Sequence, residues 1–322
     1  MKAPAFWDKK TSVASKILKP FGAVYAWMVA RRFKRAKPYQ APVPVICVGN
    51  ISVGGTGKTP VCLALMKILK EHGFFFLNHG YKSKLKNVFV DVNVHTPFDV
   101  GDEAMMLAGF APTVVDNHRA RGAQLAVKCG AKGIIMDDGF QNPSLIKTLS
   151  FVVIDGQKGF GNECVLPSGP LREPALKGLK RADGVIIVGE DTWGVKFYLQ
   201  RHKIDLPILT GRFVPDADML AQLQGKKVFA FAGLGNPNKF FNTLCEAGVE
   251  IVGTQSFPDH YFYTRFDIEG MKQKANSVPL ITTTKDAVKL SEELGHHVLV
   301  LSGEFVFDDM DAVNTVLKEV MK

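Results

Sequence analysis

The sequence predicts an α/β protein: a mainly parallel sheet with helices on both faces, a smaller C-terminal α/β unit, and an N-terminal amphipathic helix. Three observations predict it. From Pro44 onward, short apolar runs alternate with helical patterns, the signature of strand–helix–strand units. The alternation restarts near Gly225. The first 40 residues hold ten Lys/Arg and one acid, Asp8, which equals the chain's whole formal excess of +9.

The chain therefore divides into residues 1–40, 41–225 and 226–322, and its 322 residues suffice for one large core or two modest ones. Residues 41–322 balance at 30 basic and 30 acidic groups. Composition thus demands no basic face on the folded body, and no nucleic-acid partner is expected. Cys47, Cys62, Cys129, Cys164 and Cys245 are odd in number and form no C-x-x-C, which suits small buried hydrophobes in a reducing compartment. The N-terminus lacks the apolar core and small-residue cleavage site of a secretory signal.

Residues 11–35 read as a helix. Thr11 or Ser12 can cap it, and Val13, Ile17, Phe21, Val24, Tyr25 and Met28 recur at helical steps. Pro20 is expected to kink or split it. The uncharged run from Pro20 to Ala30 is far short of the roughly 20 residues that span a bilayer. With RRFKRAK behind it, the helix suits an anionic membrane surface, and packing on the protein's own core is the other reading.

In the central part, VPVICVGN reads as a strand feeding a glycine loop and TPVCLALMKILKEHG as the helix after it. NVFVDV, PTVVD, GIIMDD, LSFVVID and DGVIIVG are further strands, with GDEAMMLAGF and HRARGAQLAVKCG as helices between them. After Gly225, KKVFAFAG, VEIVGTQSF, PLITTTKDAVKL and HHVLVLS alternate with NPNKFFNTLCEAG and FDIEGMKQKAN.

The loop Ser52-Val53-Gly54-Gly55-Thr56-Gly57-Lys58-Thr59 follows a strand and opens a helix, as a phosphate-binding loop must. Its glycines let backbone N–H groups face phosphate oxygens, Lys58 can reach the β- and γ-phosphates, and the Thr59 hydroxyl can ligate Mg²⁺. The usual spelling has glycine where Ser52 stands, and serine serves there if the backbone stays at negative φ. Asp137-Asp138, at the end of GIIMDD, suit a metal-binding strand end. Asp102-Glu103 read equally as a helix cap, a proton acceptor or further metal ligands. His260 beside Asp259 reads more simply as structural, and TTKD (283–286) lacks the spacing of a guanine-reading motif.

In this order, MKAPAFW, PVPVICVGNISVGGTGKTP, HGY, VGDEAMMLA, DDGFQ, GFGNECVLPSGPLREP, FAFAGLGNP, FPDH and TTTKDAVKL resemble the tetraacyldisaccharide 4′-kinase family nearly end to end. The resemblance implies a P-loop NTPase-type core and ATP-dependent phosphorylation of the 4′-hydroxyl of a lipid A disaccharide precursor. It also implies a peripheral place at the cytoplasmic face of the bacterial inner membrane, with no oligomer required. By the family's pattern Asp102 is the general base, paired with His260 across the cleft. Lys58 and Thr59 hold phosphates and Mg²⁺, Asp137, Asp138, Glu103 and Gln141 form the metal and water network, and Tyr81, Arg119 and Arg172 meet the lipid headgroup. In this family a Thr or Ser is normal at position 52. His79, Lys82 and Asn142 depart from its pattern. Another P-loop small-molecule kinase or ligase, or a nucleotide-dependent switch, is the alternative.

Overall fold

A computed structural model describes residues 4–9, 12–296 and 298–321, so Thr11, one of the two expected caps, lies outside the described residues. The chain opens with helix α1 (Val13–Arg35). The first unit then runs β1 (Val45–Gly49), α2 (Lys58–Leu69), β2 (Phe74–Asn78), β3 (Val88–Phe89), α3 (Pro97–Val100), α4 (Asp102–Ala108), β4 (Thr113–Val115) and α5 (Arg119–Lys128). It continues through β5 (Gly133–Asp137), β6 (Leu149–Asp155), α6 (Ala175–Leu179), β7 (Gly184–Val188), α7 (Val195–Arg201) and β8 (Ile208–Pro215). The second unit comprises α8 (Ala217–Leu223), β9 (Lys227–Ala232), α9 (Pro237–Glu246), β10 (Glu250–Ser256), α10 (Arg265–Ala275), β11 (Leu280–Thr283), α11 (Thr284–Ala287), α12 (Glu292–Gly295) and β12 (Val298–Leu301). β13 (Gly303–Phe307) and α13 (Met310–Leu317) close the chain.

The large sheet is ordered β13-β8-β7-β6-β1-β5-β2-β4-β3 and is parallel except at its two edges, where β13 and β3 run antiparallel. Strands buried on both faces need continuous apolar runs, and β1, β5 and β6 are buried at every position. One face packs under α5, α6 and α7 through residues such as Ala123, Leu179 and Leu199. The other packs under α2, α4 and α13 through Leu65, Leu107 and Leu317. The small sheet, β10-β9-β11-β12, is parallel and has its own two cores, under α8 and α9 on one side and α10 on the other.

Three expectations need correction. The second unit, expected to run to 322, gives up its last residues: β13 pairs with β8, and Val313 and Leu317 bury themselves against the large sheet. Met219, Leu220 and Leu223 of α8 join the core of the small sheet, so that unit begins before Gly225. Pro20 does not split α1, which runs unbroken from Val13 to Arg35. Contacts on either side of the proline explain why. Before it, Ser15 Oγ donates to Ser168 O at 2.8 Å and Ser168 Oγ donates to Ser15 O at 2.7 Å. After it, Gly22 lies so close to the 162–168 loop that a Cβ there would meet Val165 O at 2.8 Å.

Small residues thus face the body, and the apolar stripe faces out. Val13, Ile17, Phe21, Val24 and Met28 are each at least half exposed, Val13 at 71%. Among the described residues no helix is long and apolar enough to cross a membrane.

Candidate active site

The phosphate loop sits at the C-terminal end of β1, the central strand. β1 pairs in parallel with β5, and the register sets Val48 beside Asp137. Adjacency in the sheet therefore brings the loop and GIIMDD together. Gly57 caps α2 at φ +85°, where a side chain would be strained, and a Cβ at Gly54 or Gly55 would meet nothing within 4 Å. The loop surrounds open space at the N-terminus of a helix, the setting that favours bound phosphate.

Ser52 has its own explanation. It forms an antiparallel bridge with Leu171, flanked by Val53 N–H donating to Pro170 O at 2.8 Å and Arg172 N–H donating to Ile51 O at 2.7 Å. It is not among the residues with positive φ, so no glycine is required. This bridge delivers Arg172, which grips Asp138 with both arms: Nη1 donates to Oδ1 at 2.8 Å and Nη2 to Oδ2 at 3.2 Å. Lys58 Nζ lies 3.6 Å from Asp138 Oδ2. Burial works against ionisation of Asp138, but Lys58 and Arg172 outweigh it and hold its carboxyl below the usual range.

Asp137 is the opposite case. Its carboxylate is 2% exposed and accepts from Thr59 Oγ1 at 3.3 Å and Asn78 Nδ2 at 3.5 Å. Burial, then the nearby Glu103 charge, push its pKa up to about 7. A buried carboxylate beside a hydroxyl, crowded by further acids, supplies oxygen ligands whose charge a divalent cation would neutralise.

The remaining charged groups straddle the two units. Asp102, 3% exposed at the start of α4, receives His260 Nδ1 at 2.8 Å on Oδ2 and 3.0 Å on Oδ1. A carboxylate only accepts, so Nδ1 carries the proton and Nε2 faces the Asp259 carboxylate, 3.7 Å away. Burial opposes ionisation of Asp102, but the His260 hydrogen bond and the His260 and Lys285 charges prevail and depress its pKa. The Tyr81 ring lies 5.0 Å from that of His260, and Phe98 stacks on Phe262 at 4.0 Å, so aromatic contacts also cross the cleft.

One expected role changes. Arg119, expected at the lipid headgroup, is 1% exposed and donates to the carbonyls of Leu77 (3.0 Å), Asp137 (2.6 Å) and Asp138 (3.1 Å). It ties together the C-terminal ends of β2 and β5 and does not reach the surface. Gln141 Nε2 donates to Asn50 O at 2.8 Å and Glu173 Oε1 at 3.0 Å, while its Oε1 accepts from Arg172 Nη1 at 3.4 Å, beside the arm that holds Asp138. Glu103 stays close enough to Asp137 for its charge to raise that carboxyl's pKa, and it also pairs with Lys285, whose Nζ is 3.5 Å away. The residues overlooked in the sequence are Asn78, Glu173 and Lys285. Glu173 lies inside GFGNECVLPSGPLREP and Lys285 inside TTTKDAVKL, two of the stretches that carry the family resemblance.

A model of the tetraacyldisaccharide-1-P 4′-kinase family matches residues 14–322. A tetraacyldisaccharide 4′-kinase of Paramagnetospirillum magneticum is 47% identical over 313 residues, covering 96% of this chain and 95% of that protein. One of Rhodospirillum rubrum is 43% identical over 328 residues, covering 100% and 98%. Among solved structures, "apo" form LpxK from Aquifex aeolicus in complex with ATP superposes with a TM-score of 0.77 at 27% identity, covering 96% of this chain and 99% of that one.

Proposed function

We infer how the site works from the premise that the chain belongs to the tetraacyldisaccharide 4′-kinase family: it is an ATP-dependent kinase of the 4′-hydroxyl of a lipid A disaccharide precursor. The observation that carries the mechanism is the convergence of the phosphate loop, Asp137 and the Asp102–His260 pair. Lys58 and the loop amides bind the phosphates of ATP. Thr59 and Asp137, whose side chains meet at 3.3 Å, would hold Mg²⁺. Bound there, Mg²⁺ supplies charge neutralisation on the transferring phosphoryl group.

Asp102, held ionised, accepts the hydrogen bond of the 4′-hydroxyl and takes its proton. As it does so, the new O–P bond forms and the β–γ bridging bond breaks, its electron pair leaving with ADP. His260 Nδ1–H fixes the carboxylate's orientation, and because it comes from the second unit, the pair exists only when the cleft is closed and water is excluded. Between α1 and the loop lies a cavity of about 300 Å³ lined by Tyr25, Arg32, Val53, Gln141 and Arg172. Two guanidinium groups there suit the 1-phosphate of the acceptor, with Tyr81 at the cleft mouth beside His260.

The exposed stripe of α1 and its following basic residues support peripheral attachment to the anionic cytoplasmic face of the inner membrane. A lipid acceptor that need not leave the bilayer avoids exposing its acyl chains, at roughly 0.8 kcal/mol per CH₂. Incubation with Mg-ATP and tetraacyl disaccharide 1-phosphate should yield a bisphosphorylated lipid, and absence of product from folded protein would sink the mechanism. Deleting residues 1–35 should abolish vesicle flotation; undiminished flotation would remove the membrane role from α1.

A further inference from the structure

The motif TTKD contains a residue for which the mechanism above has no use. Lys285 stands on α11, whose base is anchored in the core of the second unit. There Asp286, wholly buried, accepts from Gly233 N at 3.1 Å, Tyr263 Oη at 2.9 Å and Thr283 Oγ1 at 2.9 Å, and pairs with Lys289 at 2.6 Å. From this rigid platform the Lys285 ammonium reaches two carboxylates that belong to different units: Asp259 Oδ1 at 3.1 Å and Glu103 Oε1 at 3.5 Å.

Each carboxylate adjoins one member of the Asp102–His260 pair. Asp259 Oδ1 also accepts from His260 N–H at 3.1 Å. His260 itself sits at φ +59°, a conformation a non-glycine residue adopts only when its surroundings impose it. Glu103 immediately follows Asp102, and its N–H donates to Asp102 Oδ1 at 2.9 Å. Without Lys285, the carboxylates of Glu103 and Asp259 would lose the ammonium they share across the cleft, turning attraction into repulsion beside Asp102.

We propose that Lys285 is a positioning residue for phosphoryl transfer: its ammonium joins Glu103 to Asp259 and thereby sets Asp102 against His260 as the two units close. The proposal rests on the assignment of that pair as the proton-handling group. It touches neither ATP nor lipid in this role, so its loss acts on the rate of transfer and not on binding.

The test compares Lys285→Met and Lys285→Arg in the full chain, in a Cys164→Ser background so that Cys129 and Cys245, exposed and not buried as the sequence suggests, take spin labels, one in each unit. With Mg-ATP and the lipid acceptor, Lys285→Met should lower kcat about 10²-fold, the scale of a misplaced catalytic group, with KM for ATP within about threefold of the parent. The distribution of distances between the labels should broaden toward longer values. Lys285→Arg, which keeps a cation able to bridge two carboxylates, should restore the distance distribution and bring kcat to within about tenfold of the parent. A parental kcat in Lys285→Met overturns the proposal, as does a lowered kcat with unchanged label distances or a failure of arginine to rescue either readout. Asp102→Asn run alongside separates the two readings: if that variant stays active, the assignment of the pair fails, whereas an inactive Asp102→Asn beside a fully active Lys285→Met defeats the Lys285 inference alone.

Discussion

The phosphate half of the site lies within one sheet, whereas the Asp102–His260 half joins two units across 158 residues of chain. In the first, the register of β1 against β5 places Asp137 near Thr59, and the Ser52–Leu171 bridge brings Arg172 to Asp138. These groups stay together as long as the sheet is folded. In the second, every contact depends on how the small unit sits on the large one, through His260, Lys285, the Phe98–Phe262 stack and Lys239 on Asp155. On the proposed mechanism the binding groups are therefore fixed and the transfer groups conditional, which would let nucleotide be held without being spent on water.

The largest expected effects break one half and leave the other. Asp102→Asn should lower kcat by about 10²–10⁴-fold while ATP affinity is retained. Lys58→Met should cost about 10²–10³-fold in turnover and weaken ATP binding as well. Equilibrium titration with a nucleotide analogue checks the contrast, and equal loss of affinity in the two variants would erase it.

A smaller effect comes from pH, because the two aspartates are shifted in opposite directions. Asp102 is held below the ordinary carboxylate range, so its contribution to closure is present above that range and is lost only as strong acid protonates it. Asp137 is raised from 3.8 to about 7, so between those values the folded protein holds a proton the unfolded chain does not, and stability from this group falls as pH rises through that window. A cation must displace that proton. Lowering pH from about 8 to 6 should therefore raise the Mg²⁺ concentration for half-maximal rate roughly tenfold, and a flat Mg²⁺ requirement would show that Asp137 is not a ligand. Least affected should be Lys239→Met: with its lysine 60% exposed, the bridge to Asp155 is screened, and kcat should stay within about threefold.

The phosphate half was also the legible half. GGTGKT after a β-branched strand and carboxylates at the end of GIIMDD carry their meaning in local sequence. β2 escaped notice because FFFLN has no β-branched residue and no alternation, and its strand character comes from burial between β4 and β5. β13 escaped because its partner, β8, lies before the entire second unit. Arg119 looks like any basic residue opening a helix, and only the adjacency of β2 and β5 shows that its guanidinium is consumed by carbonyls. Asp102 and His260 were paired through the family's pattern, since neither stretch announces the other. Lys285 was read only against a guanine-recognition spacing that it fails.

The stretch from Asn162 to Arg172 serves at both of its ends. Asn162, Val165 and Ser168 seat α1, while Pro170, Leu171 and Arg172 hold the phosphate loop. Under the proposed seating of α1 in a membrane interface, such a strap would act as a ruler, setting the height at which the γ-phosphate is presented to a sugar anchored by its own tails. Lengthening the strap would leave helix and loop each intact and yet aim the enzyme past its substrate.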